Sequence, residues 1–88
     1  MTPGVGTPRL APHASLRWHP ARGEWLAMLP EAVFVLNETA AAVLALCDGR
    51  RGVTAIVTAL GDDYDGVEAH EVEQLLRDLA DQKLVELT

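Results

Sequence analysis

This chain of 88 residues lacks several features that indicate whole classes of protein. It has one cysteine, Cys47, so it forms no internal disulfide, which fits a reducing cytoplasm. No run of about 18 apolar residues occurs, so the sequence predicts no membrane span. A glycine-rich phosphate loop is also missing, because the segment 48–52 is too short and follows a predicted helix.

The residues that could bind a metal ion or act as a nucleophile are scattered. His13, His19 and His70 are spread over predicted loops and a helix, and none lies at i, i+4 from another ligand. Cys47 lies on the apolar stripe of a predicted helix, which is typical of a packed thiol rather than a reactive one. The sequence therefore predicts no catalytic residue, no metal site and no cofactor, and we do not expect an enzyme.

Charge divides unevenly along the chain. Residues 1–36 carry a net charge of +1 and residues 37–88 a net charge of −7, which gives −6 overall. The last predicted helix, about residues 68–82, carries −4. Because a negative field repels nucleic acid and anionic membranes and attracts basic peptides, a peptide is the expected partner of the helical half. A DNA-binding winged helix is the less favoured alternative, since DNA affinity depends on cations that meet phosphates.

Apolar periodicity predicts strands first and helices after them. A flexible arm is expected over residues 1–13 and a single domain over residues 14–88. Asn37 is a favourable N-cap for the first helix, and Pro20 and Gly23 mark a hairpin turn. The predicted fold is α+β and winged-helix-like, with an N-terminal three-stranded antiparallel β element followed by three α-helices. The predicted strands are 15–18, 24–29 and 32–36, the helices are about 38–47, 53–60 and 68–82, and 84–87 is a short terminal strand.

The third predicted strand is the candidate binding site. No strand follows it directly, so its outer edge leaves backbone donors and acceptors free to pair with another chain, while alternate side chains offer pockets. The last predicted helix contributes an apolar stripe bordered by acidic and amide groups, although a solvated helix face is the alternative interpretation of those acids. The predicted peptide-binding residues are Val33, Phe34, Val35, Leu36, Glu71, Gln74, Leu75 and Asp78.

Arg50 and Arg51 follow the end of the first predicted helix. Cations there either complement the negative end of the helix or contact a partner protein. They are the predicted partner-binding residues.

Several short segments of the chain together match the pattern of a known family. They are Leu16-Arg-Trp18, Arg22-Gly-Glu-Trp25, Leu29-Pro-Glu31, Leu36-Asn37, Leu44-Ala-Leu-Cys-Asp-Gly49, Ile56-Val57 and Leu79-Ala-Asp-Gln-Lys-Leu-Val-Glu-Leu87. With these segments the chain resembles the PqqD family of pyrroloquinoline quinone (PQQ) biosynthesis, over about residues 14–87. One departure is Gln82–Lys83, where a Lys-Gly pair is expected, and it affects only a turn.

This resemblance implies a non-catalytic peptide chaperone, a recognition element of the kind used in ribosomal peptide modification. It implies that the chain binds the precursor peptide PqqA and presents it to the radical S-adenosylmethionine enzyme PqqE, which crosslinks a Glu and a Tyr of that peptide. The leader of the peptide is expected to add as an extra strand beside the third predicted strand, against the last helix. A recognition module of another peptide-modification pathway stays open as an alternative.

The open strand edge and the N-terminal hairpin also predict self-association. Two copies can pair by their edges or exchange the hairpin about a hinge at residues 29–31. We therefore expect a homodimer at high concentration and a monomer when the protein is dilute or bound to its partners.

Overall fold

The computed structural model describes residues 6–61 and 66–87. The predicted α+β arrangement is confirmed, and the second and third predicted strands and the second predicted helix have the predicted bounds. The predicted loop at 61–66 falls largely on residues 62–65, which lie outside the described part. The elements in chain order are β1 (Arg9–Leu10), β2 (Ser15–His19), β3 (Glu24–Leu29), β4 (Ala32–Leu36), α1 (Glu38–Ala45), α2 (Val53–Leu60), α3 (Ala69–Asp81) and β5 (Val85–Glu86).

Strands β2, β3 and β4 form an antiparallel sheet with β3 in the centre. Gly23 has a φ of 65° in the turn between β2 and β3, a conformation that glycine adopts without steric cost. Residues Pro30 and Glu31 alone connect the paired residues Leu29 and Ala32 of β3 and β4. The predicted three-stranded element is therefore present, and both β2 and β4 are edges of its sheet.

Helix α1 begins as predicted and ends earlier than predicted. The side chain of Asn37 accepts a hydrogen bond from the amide of Ala40 at 2.8 Å, which confirms the N-cap. The helix ends at Ala45 instead of residue 47. The last turn tightens there, because the amides of Leu46 and Cys47 donate to the carbonyls of Val43 and Leu44, three residues back, at 3.0 and 3.1 Å. The carbonyl of Cys47 then accepts a hydrogen bond from the amide of Leu10 at 3.1 Å.

A second, two-stranded sheet joins the beginning and the end of the described chain. Strand β1 pairs antiparallel with β5, and Arg9 Nε lies 3.1 Å from Glu86 Oε1. Pro8 is fully buried beside this sheet. The structure therefore differs from the predicted flexible arm at residues 8–10, because main-chain hydrogen bonds and burial hold this segment in place.

The core lies between the larger sheet and the helices. Helix α1 contacts β2, β3 and β4, and it also contacts α2 and α3. The predicted apolar stripes face this core, although Val53, Val57 and Leu75 are only half-buried. Among the described residues, no helix is long and apolar enough to cross a membrane. The buried cluster comprises Ala27, Val43, Leu44, Cys47, Ile56, Leu60, Val72, Leu76, Leu79, Leu84 and Val85.

Candidate functional site

The free edge of β4 is defined by the short connection to β3. Because only two residues separate Leu29 from Ala32, these two residues can pair only by exchanging both main-chain hydrogen bonds. Hydrogen-bonded and non-hydrogen-bonded pairs alternate along an antiparallel ladder, so Phe34 and Leu36 also bond to β3. The amides and carbonyls of Val33 and Val35 therefore point away from β3, towards the open edge.

Side chains along β4 alternate between the two faces of the sheet. Val33 and Val35 are 57% and 64% exposed, whereas Phe34 and Leu36 are half-buried and pack against the core. Among residues 6–61 and 66–87, no backbone hydrogen bond joins β4 to a segment outside its own sheet. The predicted site at residues 33–36 is thus an uncovered strand, and an added strand would find donors and acceptors at Val33 and Val35.

The sheet has a second open edge that the sequence reasoning did not single out. Since Trp25, Ala27 and Leu29 of β3 bond to β4, the alternate β3 residues bond to β2, opposite Ser15, Arg17 and His19. The main-chain groups of Leu16 and Trp18 are therefore the ones that face outward. The predicted hairpin could have indicated this edge, because its first strand has a predicted partner on one side only.

The predicted residues on α3 form a separate cluster. Glu71, Gln74 and Asp78 are exposed, and the amide nitrogen Nε2 of Gln74 donates to Asp78 Oδ1 at 3.1 Å. Leu75, on the same side, is half-buried against the core. Helix α3 packs on α1, α2 and β5, and β4 packs on β3 and α1. Helix α1 therefore packs on both α3 and β4, and the joint use of the two sets of residues by one peptide stays a prediction.

The two predicted partner-binding arginines lie in the loop after α1, where Asp48 organises them. Asp48 Oδ1 accepts hydrogen bonds from the amides of Arg50 and Arg51 at 2.8 and 3.1 Å, and Asp48 Oδ2 lies 3.0 Å from Arg51 Nη1. The hydrogen bond from the Arg50 amide is the main cause of a lowered pKa of the Asp48 carboxyl. Arg51 is thus engaged within its own loop, while the side chain of Arg50 is exposed.

Cys47 is buried, and its Sγ donates to the carbonyl oxygen of Val43 at 3.2 Å. Burial, with a smaller contribution from the charge of Asp48, raises the pKa of the Cys47 thiol to about 12. The side chain is therefore a protonated thiol at neutral pH. Its chemistry is that of a packed residue and not that of a nucleophile.

At the start of α3 the structure groups three side chains that the sequence reasoning did not combine. Potential ligand atoms of Glu68, His70 and Glu71 lie within 4.8 Å of one another, and all three residues are exposed. His70 Nδ1 lies 3.1 Å from Glu68 Oε2. Exposed acidic residues at the start of a helix commonly meet in this way without holding an ion, so we assign no metal to these three residues.

Comparison with known proteins gives consistent matches. The family model described as coenzyme PQQ synthesis protein D (PqqD) matches residues 24–85. The chain is 38% identical over 78 residues to a PqqA binding protein of Rhodopseudomonas palustris (strain BisB5), covering 85% of this chain and 76% of that protein. It is 41% identical over 68 residues to a PqqA binding protein of Methylococcus capsulatus, covering 75% of this chain and 73% of that protein.

Two further matches involve a fused relative. The bifunctional coenzyme PQQ synthesis protein C/D of Methylorubrum extorquens is 36% identical over 87 residues, which are 94% of this chain and 23% of that protein. The solution structure of the PqqD truncation of Methylobacterium extorquens PqqCD, described as a functional, stand-alone recognition element for ribosomally synthesised and post-translationally modified peptides, matches with a TM-score of 0.71. It shares 34% sequence identity, and the match covers 97% of this chain and 96% of that one.

Proposed function

Because this chain belongs to the PqqD family, we propose that it is a peptide chaperone of pyrroloquinoline quinone biosynthesis that binds the precursor peptide PqqA. Relatives that are named as PqqA binding proteins support this role. The observation in the structure that carries it is the open edge of β4. Main-chain groups at Val33 and Val35 match the donors and acceptors of an extended peptide, and need no particular sequence in it.

In the proposed complex the leader adds beside β4 and turns the three-stranded sheet into a four-stranded one. Leader residues opposite Val33 and Val35 lie on the exposed face, and the intervening residues lie on the face of Phe34, towards the core. The exposed acids Glu71 and Asp78 of α3 favour Lys or Arg in the leader. Gln74 and Leu75 complete the proposed contact surface.

The proposed partner that receives the peptide is the radical S-adenosylmethionine enzyme PqqE. Arg51 is paired with Asp48, whereas Arg50 is exposed, so the side chain of Arg50 is the positive charge that this loop offers to a partner protein. Self-association through an open edge is the further proposed contact, and it would compete with the peptide for the same main-chain groups.

A DNA-binding role is less consistent with the charges of α3. Over Ala69–Asp81 the helix carries the acidic residues Glu71, Glu73, Asp78 and Asp81, and Arg77 is the one lysine or arginine in that range. Such a helix repels phosphates instead of binding them. A micromolar complex with duplex DNA at physiological salt would favour the DNA-binding role over the peptide-binding one.

Titration of the precursor peptide against the variant Val35→Pro tests the proposed function. Proline removes the outward-facing amide of Val35 and leaves the hydrogen bonds between β3 and β4 intact, so we expect leader affinity to fall by more than about tenfold. Val35→Thr is the matched control, because it keeps the amide and a β-branched side chain, and it should bind nearly as well as wild type. Equal affinities for the proline variant and wild type, with helical circular dichroism retained, would count against strand addition at β4.

A further inference from the structure

A cavity of about 140 Å³ lies at the other edge of the sheet, between the β2–β3 hairpin and α1. Small side chains on α1 leave this space open opposite Trp25. Ala41 is buried at its base, whereas Ala45 at the end of α1 is exposed. The lining residues are Leu16, Trp25, Glu38, Ala41, Ala42 and Ala45.

An exposed aromatic side chain stands beside the cavity. Trp18 is 50% exposed, and its ring centroid lies 5.2 Å from that of Trp25, which lines the cavity. Tryptophan is enriched in the buried centres of protein interfaces, because it combines a large apolar area with little conformational freedom. The exposed half of Trp18 is therefore apolar surface of the kind that a partner polypeptide buries.

The same place offers free main-chain groups. The amides and carbonyls of Leu16 and Trp18 face outward, and their side chains lie on the face of the sheet that carries Ala27 and the core. A strand that paired with β2 would place its residues opposite Leu16 and Trp18 on this face as well. One extended segment could thus form main-chain hydrogen bonds to the edge and insert a side chain into the cavity. Because a small molecule cannot do both, this surface favours a polypeptide.

Charge restricts the choice of polypeptide. Within the described part of the chain, the exposed carboxylate of Glu38 has no hydrogen-bond or ion-pair partner, and it lines the cavity. It would pair with a Lys or Arg of the added segment. The edge strands of a second copy do not supply one, because β4 contains no cation and Arg17 of β2 lies on the opposite face of the sheet. The favoured occupant is a different protein that has a basic residue next to an apolar one.

We propose that the β2 edge and its cavity bind an extended segment of the modifying enzyme, with an apolar side chain in the cavity and a Lys or Arg at Glu38. This inference rests on the proposed function, in which the leader occupies β4. Strand β3 separates the two edges, so both polypeptides can be held at once. A chaperone that presents a peptide needs a surface that the peptide leaves uncovered, and the β2 edge is such a surface.

The test measures two affinities on the same variants, one for the purified radical S-adenosylmethionine enzyme and one for the precursor peptide. Ala45→Leu fills the mouth of the cavity without removing a main-chain group. We expect it to weaken enzyme binding by at least about tenfold and to leave peptide binding unchanged. Ala55→Leu, the same change at an exposed position of α2 outside the cavity, is the matched control and should change neither affinity.

Charge provides an independent second arm. Glu38→Gln should weaken enzyme binding and reduce its dependence on salt, whereas Glu31→Gln, at an exposed turn position, should not. Enzyme affinity equal to wild type in folded Ala45→Leu, or a wild type that does not bind the enzyme, would overturn the proposal. Loss of peptide affinity in Ala45→Leu would also overturn it and assign the cavity to the leader. Failure of wild type to bind the peptide would instead contradict the proposed function.

Discussion

The two edges of the three-stranded sheet differ in what lies next to their free main-chain groups. At β4 the outward-facing amides belong to Val33 and Val35, whose side chains are on the uncovered face of the sheet. At β2 they belong to Leu16 and Trp18, on the face that α1 partly covers, beside a cavity. In the proposed complexes, the β4 edge therefore accepts a strand largely through its main-chain groups, whereas the β2 edge adds a cavity and the carboxylate of Glu38, which favour particular side chains.

The largest expected effect is a loss of stability when proline replaces a residue of β4 whose amide bonds to β3. Phe34→Pro removes an amide that bonds to β3 and also removes a packed aromatic ring, so we expect a loss of at least about 2 kcal/mol in the free energy of unfolding. Val35→Pro removes an amide that faces the open edge and should cost much less. Urea denaturation of both variants checks this order. Equal losses would show that the assignment of inward and outward residues along β4 is wrong.

Charge on α3 should distinguish the leader site from the β2 edge. Replacing both Glu71 and Asp78 with Lys should slow association of a basic leader by about tenfold at low salt and reduce the salt dependence. Glu71→Lys alone should show part of the effect, and Glu73→Lys, the same change on a different side of the helix, is its matched control. Stopped-flow rates at two salt concentrations measure the effect. Rates that are independent of salt in wild type and variant alike would remove the acidic cluster from the leader site.

Self-association is the smallest effect that we expect. If two copies pair through β4, a dimer forms only at high protein concentration, and leader peptide dissociates it by occupying the same main-chain groups. Sedimentation across a concentration series, with and without peptide, measures this. A protein that stays monomeric at millimolar concentration and is indifferent to peptide would contradict it.

Local sequence signals predicted most of the sheet and the helices. Two short-range features located β4 and the helix that follows it. One is the N-cap at Asn37, and the other is the two-residue turn at Pro30 and Glu31. The segment at Arg9 and Leu10 carries no such signal. Its order depends on β5, at the other end of the chain, and a two-residue strand has no periodicity to detect.

Of the candidate site, the sequence predicted the edge strand but neither the cavity nor the direction of the main-chain groups. An edge strand can be identified from the order of elements, which is why residues 33–36 were assigned from the sequence. The cavity beside β2 could not be, because it depends on how Trp25 meets the alanines of α1 across the core. Which main-chain groups face outward also required the register of the sheet, since a shift by one residue reverses every assignment.

Amide hydrogen exchange on the peptide complex, read residue by residue, tests the central claim most directly. When the precursor peptide binds, the amides of Val33 and Val35 should gain protection, because each becomes a donor to the added strand. The amides of Leu16 and Trp18 should exchange as they do in the free protein until the enzyme is added. Protection at Leu16 and Trp18 on addition of peptide alone, with Val33 and Val35 unchanged, would contradict the account and place the leader at the opposite edge.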